Sequence, residues 1–148
     1  MAGSSLGYTI GLPGRESERL RIIDLLREGG VGVLATDTIY GLVGSALRSD
    51  TVERIYKLRY RESRKPTIVL ISSLEELNLF EIKLAEDELS FLSKIWPGKV
   101  SVILSCPSDK FKYLHRNSKT LAFRLSSKDA LINILQKTGP LVAPSVNP

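Results

Sequence analysis

Five short apolar runs constrain the fold of this chain more than any other feature of its sequence. They are Val31–Ala35, Thr67–Ile71, Val100–Leu104, Leu121–Leu125 and Leu141–Ala143. Runs of about five residues that are rich in Val, Ile and Leu are typical of buried strands. Segments with apolar residues at helical spacing, such as Arg15–Glu28 and Glu86–Ile95, lie between them. This alternation predicts an α/β fold in which helices flank a mixed open sheet.

Two further helices are predicted from the residues that would begin them. Asp50 is expected to cap the first, and Ser126 or Ser127 the second, which then runs through Lys137. The apolar residues expected to form the buried face of the first helix are Val52, Ile55, Tyr56 and Leu58. Both helices would lie between predicted strands, as an α/β arrangement requires.

Length and composition favour one soluble domain over residues 1–148, with 43% hydrophobic and 25% charged residues. No apolar run reaches the ~20 residues of a membrane helix, and Met1–Gly14 lacks the features of a secretory signal, so we expect a cytoplasmic protein without membrane contact. Cys106 and His115 are the single cysteine and histidine, which excludes an internal disulfide and a Cys/His zinc cluster. Both are interpreted as structural residues.

The net charge of +5 is concentrated in one stretch, where six cations accompany a single acid, Glu62. The cations are Arg54, Lys57, Arg59, Arg61, Arg64 and Lys65. A solvated helix end accounts for some of them. Guanidinium groups also bind phosphate through two hydrogen bonds, so a polyphosphate or RNA backbone is the alternative. The residues alone leave both interpretations open.

Polar residues follow the first and the last predicted strand. The segment Thr36–Leu42, which includes Thr38, indicates either a capped turn or a site for a small polar ligand. Ser145 and Asn147 follow the last run and indicate either a hydroxyl and an amide offered to a ligand or an ordinary Pro/Ser/Asn loop. Neither of the common glycine-rich phosphate loops is present in the sequence.

Thr120 and Arg124 lie four residues apart at the fourth apolar run, so on a strand they point to the same face. An arginine within such a run would be partly buried and would need an anionic partner. Asp37 and the carboxylate of a ligand are the two candidates.

In combination, these motifs resemble the YrdC-like threonylcarbamoyl-AMP synthase family. The residues that carry the resemblance are Thr36–Leu42, Ile55-Tyr56, Arg59-Tyr60-Arg61, Lys65-Pro66, Trp96-Pro97-Gly98, Ala122-Phe123-Arg124 and Ala143–Asn147. They occur in the family's order and cover about residues 20–148. The resemblance implies a twisted mixed sheet with a positively charged concave face.

The resemblance also implies a nucleotidyltransferase that joins L-threonine, bicarbonate and ATP into threonylcarbamoyl-AMP and releases pyrophosphate. The product would serve threonylcarbamoyladenosine formation in tRNA, with tRNA or downstream tRNA-modification proteins as partners. By resemblance, Thr38 and Arg124 bind L-threonine. The residues that match the family's ATP-binding positions are Arg59, Arg61, Lys65, Thr120, Ser145 and Asn147. No residue is assigned a catalytic role, and Mg²⁺ would be bound through the nucleotide rather than by a protein metal site.

The chain departs from the family pattern at several positions. Arg59 stands where the family usually has Lys, Leu70 where many members have His, and Ser101 where Thr is frequent. Family members as a rule continue past the Ser-x-Asn motif, so the resemblance implies a YrdC-like domain that is short at its C-terminal end. The alternative to the enzyme is a non-catalytic RNA- or nucleotide-binding module on the same fold.

Overall fold

The computed structural model describes residues 16–35, 40–59 and 67–144. Its helices are α1 (Glu16–Arg27), α2 (Ser49–Arg59), α3 (Glu86–Ile95), α4 (Lys112–His115) and α5 (Asp129–Thr138). Its strands are β1 (Val31–Ala35), β2 (Tyr40–Ser45), β3 (Ile68–Ile71), β4 (Val102–Ser105), β5 (Thr120–Leu125) and β6 (Leu141–Ala143). Two 3₁₀ helices cover Leu74–Phe80 and Asp109–Phe111.

The six strands form one sheet in the order β1-β2-β6-β3-β5-β4. β3 and β5 run parallel, and every other neighbouring pair is antiparallel. The prediction of an α/β fold with a mixed sheet and flanking helices is therefore confirmed.

Apolar side chains form a separate core on each face of the sheet. On one face, α2, α3 and the 3₁₀ helices pack around Phe80 and Phe123, whose rings lie 5.3 Å apart in an edge-to-face contact. On the other face, α1 and α5 pack against each other and against Leu34, Val43 and Leu141 of β1, β2 and β6. Among the described residues, no side chain of β4 or β5 belongs to this second core. The helices that the structure describes thus leave one corner of the sheet uncovered.

Several local predictions are corrected by the structure. α2 begins at Ser49, so Asp50 lies in its first turn and does not cap it. Leu58 is 48% exposed, whereas Val52, Ile55 and Tyr56 are buried. A step of three residues falls about 60° short of a full helical turn, so two such steps from Val52 carry Leu58 off the buried face. α5 begins at Asp129 after Lys128, whose backbone N–H donates to the Ser126 hydroxyl at 2.9 Å.

Candidate functional site

The uncovered corner carries a row of side chains on one face of β4 and β5, which we call the ladder. Thr120 is paired with Ser105, and Ala122 is paired with Ile103, so these four side chains share one face of the sheet. Arg124 is two residues beyond Ala122 and lies on the same face, as predicted. Ile103 is 70% exposed, which is consistent with a face that none of the described helices covers.

Arg124 supplies the positive charge of this open face. Its Nε–H donates to the hydroxyl of Ser101 at 3.0 Å, and the side chain is partly buried. Within the described ranges, no carboxylate pairs with its guanidinium. Asp37, one of the two predicted anionic partners, lies outside the described residues. The two terminal amino groups of the guanidinium therefore have no carboxylate partner among the described residues.

The Trp-Pro-Gly turn holds Ser101 next to Arg124. The indole N–H of the buried Trp96 donates to the backbone oxygen of Val100 at 2.7 Å. The backbone N–H of Gly98 donates to the oxygen of Leu125 at 2.9 Å. β4 begins at Val102 and not at Val100 as predicted. The bonds of the turn occupy the oxygens of Val100 and Leu125 at the point where the predicted strand would begin. Ser101 was not predicted as a site residue. Its position after the Trp-Pro-Gly motif was the one sequence feature that could have indicated it.

Thr120 occupies the opposite end of the ladder, about 13 Å from Arg124 along the strand. Its hydroxyl donates to the hydroxyl of Ser118 at 3.3 Å. Ser118 in turn donates to the backbone oxygen of His115 at 2.6 Å. An oxygen that donates its hydrogen in this way still has lone pairs, and the hydroxyl can rotate to serve a ligand instead.

Several strand ends meet at the Thr120 end of the sheet. Ala35, the last residue of β1, pairs with Tyr40, the first of β2. Ile68, the first residue of β3, pairs with Ala143, the last of β6. β5 runs parallel to β3, so Thr120 begins it at the same end. The predicted site residues that lie outside the described residues, each within about seven positions of one of these ends in the sequence, are Thr38, Arg61, Lys65, Ser145 and Asn147.

Arg59 lies within the basic run, and Leu70 lies five residues after its last cation, Lys65. Arg59 is the last residue of α2, directly before residues 60–66. Leu70 lies opposite Arg124 in the parallel β3–β5 pairing and is buried in the second core. An apolar residue thus pairs with Arg124 at the position where the family resemblance implies a histidine in many members.

His115 and Cys106 are buried away from the open face. The backbone N–H of Asn117 donates to His115 Nδ1 at 3.2 Å, so Nε2 carries the hydrogen and donates to the Ser108 oxygen at 3.0 Å. Burial raises the pKa of the Cys106 thiol, and the charge of Glu81 raises it further. A neutral, buried thiol is a poor nucleophile, which agrees with a structural role.

The described residues contain no group of three His, Cys, Asp or Glu side chains able to hold a metal ion. Among the described helices, none has the length and apolar character needed to cross a membrane.

Comparison with known proteins gives one family. The Sua5/YciO/YrdC family model, described as "Telomere recombination", matches residues 24–148. A protein of Bacillus subtilis (strain 168) named threonylcarbamoyl-AMP synthase is 31% identical over 125 residues. The match covers 83% of this chain and 36% of that protein. The chain therefore spans little more than a third of the length of this relative.

Solved structures show the same fold. A doubly substituted variant of Sua5 from P. abyssi superposes with a TM-score of 0.84 at 25% identity, covering 95% of this chain and 44% of that one. P. abyssi Sua5 complexed with L-threonine gives a TM-score of 0.82 at 24% identity, covering 95% and 42%.

Proposed function

This chain belongs to the Sua5/YciO/YrdC family, and from that premise we propose that it is a threonylcarbamoyl-AMP synthase. It would join L-threonine, bicarbonate and ATP and release pyrophosphate, in the cytoplasm, for threonylcarbamoyladenosine formation in tRNA. The observation that carries the proposal is Arg124, whose guanidinium lies on an open sheet face with no carboxylate partner within the described ranges. The name of the B. subtilis relative and the L-threonine complex of P. abyssi Sua5 support the choice of substrate.

Arg124 is proposed to bind the carboxylate of L-threonine. A guanidinium and a carboxylate form two parallel charge-assisted hydrogen bonds, which fix the orientation of an amino acid as well as its position. Ala122 and the exposed Ile103 lie next along the ladder and offer an apolar floor to the threonine methyl group. Thr38 is proposed as a second contact to the same substrate.

ATP is proposed to bind at the Thr120 end of the ladder. Thr120, Arg61, Lys65, Ser145 and Asn147 would supply the hydroxyls, amide and cations there, together with Arg59 after α2. The ~13 Å between Thr120 and Arg124 leaves room for an amino acid beside the α-phosphate. Mg²⁺ would bind together with ATP, through the triphosphate, because the described residues offer it no carboxylate cluster.

The chemistry requires positioning and charge neutralisation more than a nucleophilic side chain. The threonine amine and bicarbonate give a carbamate and water. A carbamate oxygen then forms a bond to the α-phosphorus as the bond to pyrophosphate breaks. Holding the carbamate near phosphorus and neutralising the leaving group account for such a reaction. Arginine and lysine side chains are suited to both tasks.

Pyrophosphate release in the presence of ATP, L-threonine and bicarbonate tests the proposal. We expect release that depends on L-threonine and that falls at least tenfold, roughly, in Arg124→Gln. Arg21→Gln removes an exposed arginine of α1 far from the ladder and serves as the matched control. Release that is absent, or equal without L-threonine, would contradict the synthase.

A non-catalytic RNA- or nucleotide-binding role is the second candidate. It is supported by Lys57, which is exposed in the C-terminal half of α2 where the chain enters the basic run. Affinity for tRNA that falls steeply with salt, without any pyrophosphate release, would favour this role. A salt-independent affinity would exclude the basic run as a phosphate-binding surface.

A further inference from the structure

Ser101 is the hydrogen-bond partner that holds Arg124, at 3.0 Å between Oγ and Nε. We propose that Ser101 is a positioning residue, which makes Arg124 present its two terminal amino groups, and not its Nε edge, to the carboxylate of the bound amino acid. The inference rests on the proposed function, because it assigns the orientation of the group that would bind L-threonine.

An arginine can bind a carboxylate through either of two edges of its planar guanidinium. One edge uses Nε and one terminal nitrogen, and the other uses both terminal nitrogens. Nε carries a single hydrogen, and in this structure Ser101 accepts it. The edge that contains Nε is therefore occupied, and the edge formed by the two terminal nitrogens stays available for a bidentate contact.

The side chains next to Arg124 on the two neighbouring strands show why the rotation of its guanidinium depends on Ser101. On the β3 side its neighbour is Leu70, which is buried and has no polar side-chain atom. On the β4 side its neighbour is Ser101, directly before Val102. Among the described residues, Ser101 is thus the one side chain that fixes the rotation of the guanidinium.

Ser101 is itself held in place from two sides. Trp96 binds the backbone oxygen of Val100, directly before Ser101, and Gly98 binds the oxygen of Leu125, directly after Arg124. The Trp-Pro-Gly turn therefore joins the two strand ends that carry the serine and the arginine. A guanidinium held in this way loses less conformational entropy when a carboxylate binds.

Steady-state kinetics of Ser101→Ala test the proposal. We expect the KM for L-threonine to rise about tenfold, with kcat and the KM for ATP changed by less than about twofold. Ser101→Thr keeps the hydroxyl and should restore the wild-type KM. Ser93→Ala removes a hydroxyl that bonds only within α3 and should leave all three constants unchanged. An unchanged threonine KM in Ser101→Ala, or equal rises in both KM values, would overturn the positioning role.

Calorimetric titration separates this inference from the proposed function. L-threonine is titrated into the wild type and into Ser101→Ala. The amide of L-threonine, which has an uncharged group in place of the carboxylate, is titrated into both proteins to show whether the effect depends on the carboxylate. Weaker binding of L-threonine to Ser101→Ala, with no change for the amide, supports the inference even when no pyrophosphate is released. Equal affinities of the two proteins for L-threonine overturn the inference alone, and no binding to the wild type overturns both proposals.

Discussion

The guanidinium of Arg116 lies over the ring of Tyr56, 3.9 Å from its centroid. Arg116 precedes β5 and Tyr56 is a buried residue of α2, so the stacked pair joins the helix to the turn that leads into the sheet. Arg116 also forms an ion pair with Glu53 at 2.8 Å. Its side chain is 15% exposed whereas that of Glu53 is 48% exposed. The stacking contact is therefore better shielded from solvent than the carboxylate.

We expect Arg116→Ala to lower the free energy of unfolding by about 1–2 kcal/mol, because it removes a cation from a buried aromatic face. Glu53→Gln should cost no more than about 0.5 kcal/mol, since a half-exposed ion pair is screened by water. Urea denaturation measures the free energy of unfolding of both variants and shows which loss is larger. A larger loss in Glu53→Gln would show that the ion pair, and not the stacking, holds α2 against this turn.

Two buried threonines are expected to respond in opposite directions when replaced by valine. The Thr51 hydroxyl donates to the Gly29 oxygen at 2.8 Å, whereas the buried Thr67 hydroxyl has no hydrogen-bond partner among the described residues. Thr51→Val should destabilise the protein by about 1 kcal/mol or more, because it leaves the carbonyl unpaired. Thr67→Val should stabilise it by about 1 kcal/mol, because it removes an unsatisfied polar group before a strand. Thermal unfolding of both variants measures the two changes in stability. A loss of stability in Thr67→Val would contradict the conclusion that the Thr67 hydroxyl is unsatisfied.

Most strands could be predicted because each is a continuous apolar run, but β2 was missed. Its sequence, Tyr40–Ser45, contains Gly41 and Gly44 and has only two aliphatic residues. It becomes a strand through pairing with β1 and β6. Gly44 is required where α2 approaches, since a Cβ there would lie 2.6 Å from Thr51 Cγ2. Such pairing and close approach depend on residues distant in sequence, which local patterns do not encode.

The candidate site was predictable to the extent that strand periodicity governs it. The spacing of Thr120 and Arg124 placed both on one face, and the structure agrees. The bond from Arg124 to Ser101 was not predictable, because it joins residues 23 positions apart across two strands. The roles of Thr38, Arg61, Lys65, Ser145 and Asn147 stay predictions, since these residues lie outside the described ranges.

Stability at high pH should depend on Tyr113. Burial, and to a smaller extent the charge of Cys106, raise the pKa of its phenol to about 12, and its hydroxyl donates to the Ala46 oxygen at 2.7 Å. An unfolded tyrosine ionises at a pKa of about 10, so the unfolded state loses this proton first as the pH rises. The stabilisation by Tyr113 is therefore complete below pH ~10 and is lost as the pH rises towards 12.

Tyr113→Phe separates this effect from general alkaline unfolding. At neutral pH we expect it to cost about 1 kcal/mol for the lost hydrogen bond. Above pH ~10, its stability should fall less steeply than that of the wild type. Urea denaturation at a series of pH values measures both slopes, and parallel curves for the two proteins would show that Tyr113 is not the responsible group.

Thr120 offers a test of the nucleotide end of the ladder that is independent of Arg124. Thr120→Val preserves shape and strand propensity while it removes the hydroxyl. If that hydroxyl binds ATP, the KM for ATP should rise about tenfold or more, the loss expected for one hydrogen bond to a charged group. The KM for L-threonine should stay the same, because Arg124 lies ~13 Å away along the strand. Thr138→Val is the control, since that hydroxyl bonds to the Gly139 oxygen at the end of α5. An unchanged KM for ATP would remove Thr120 from the nucleotide site and leave that site to residues beyond the strand ends.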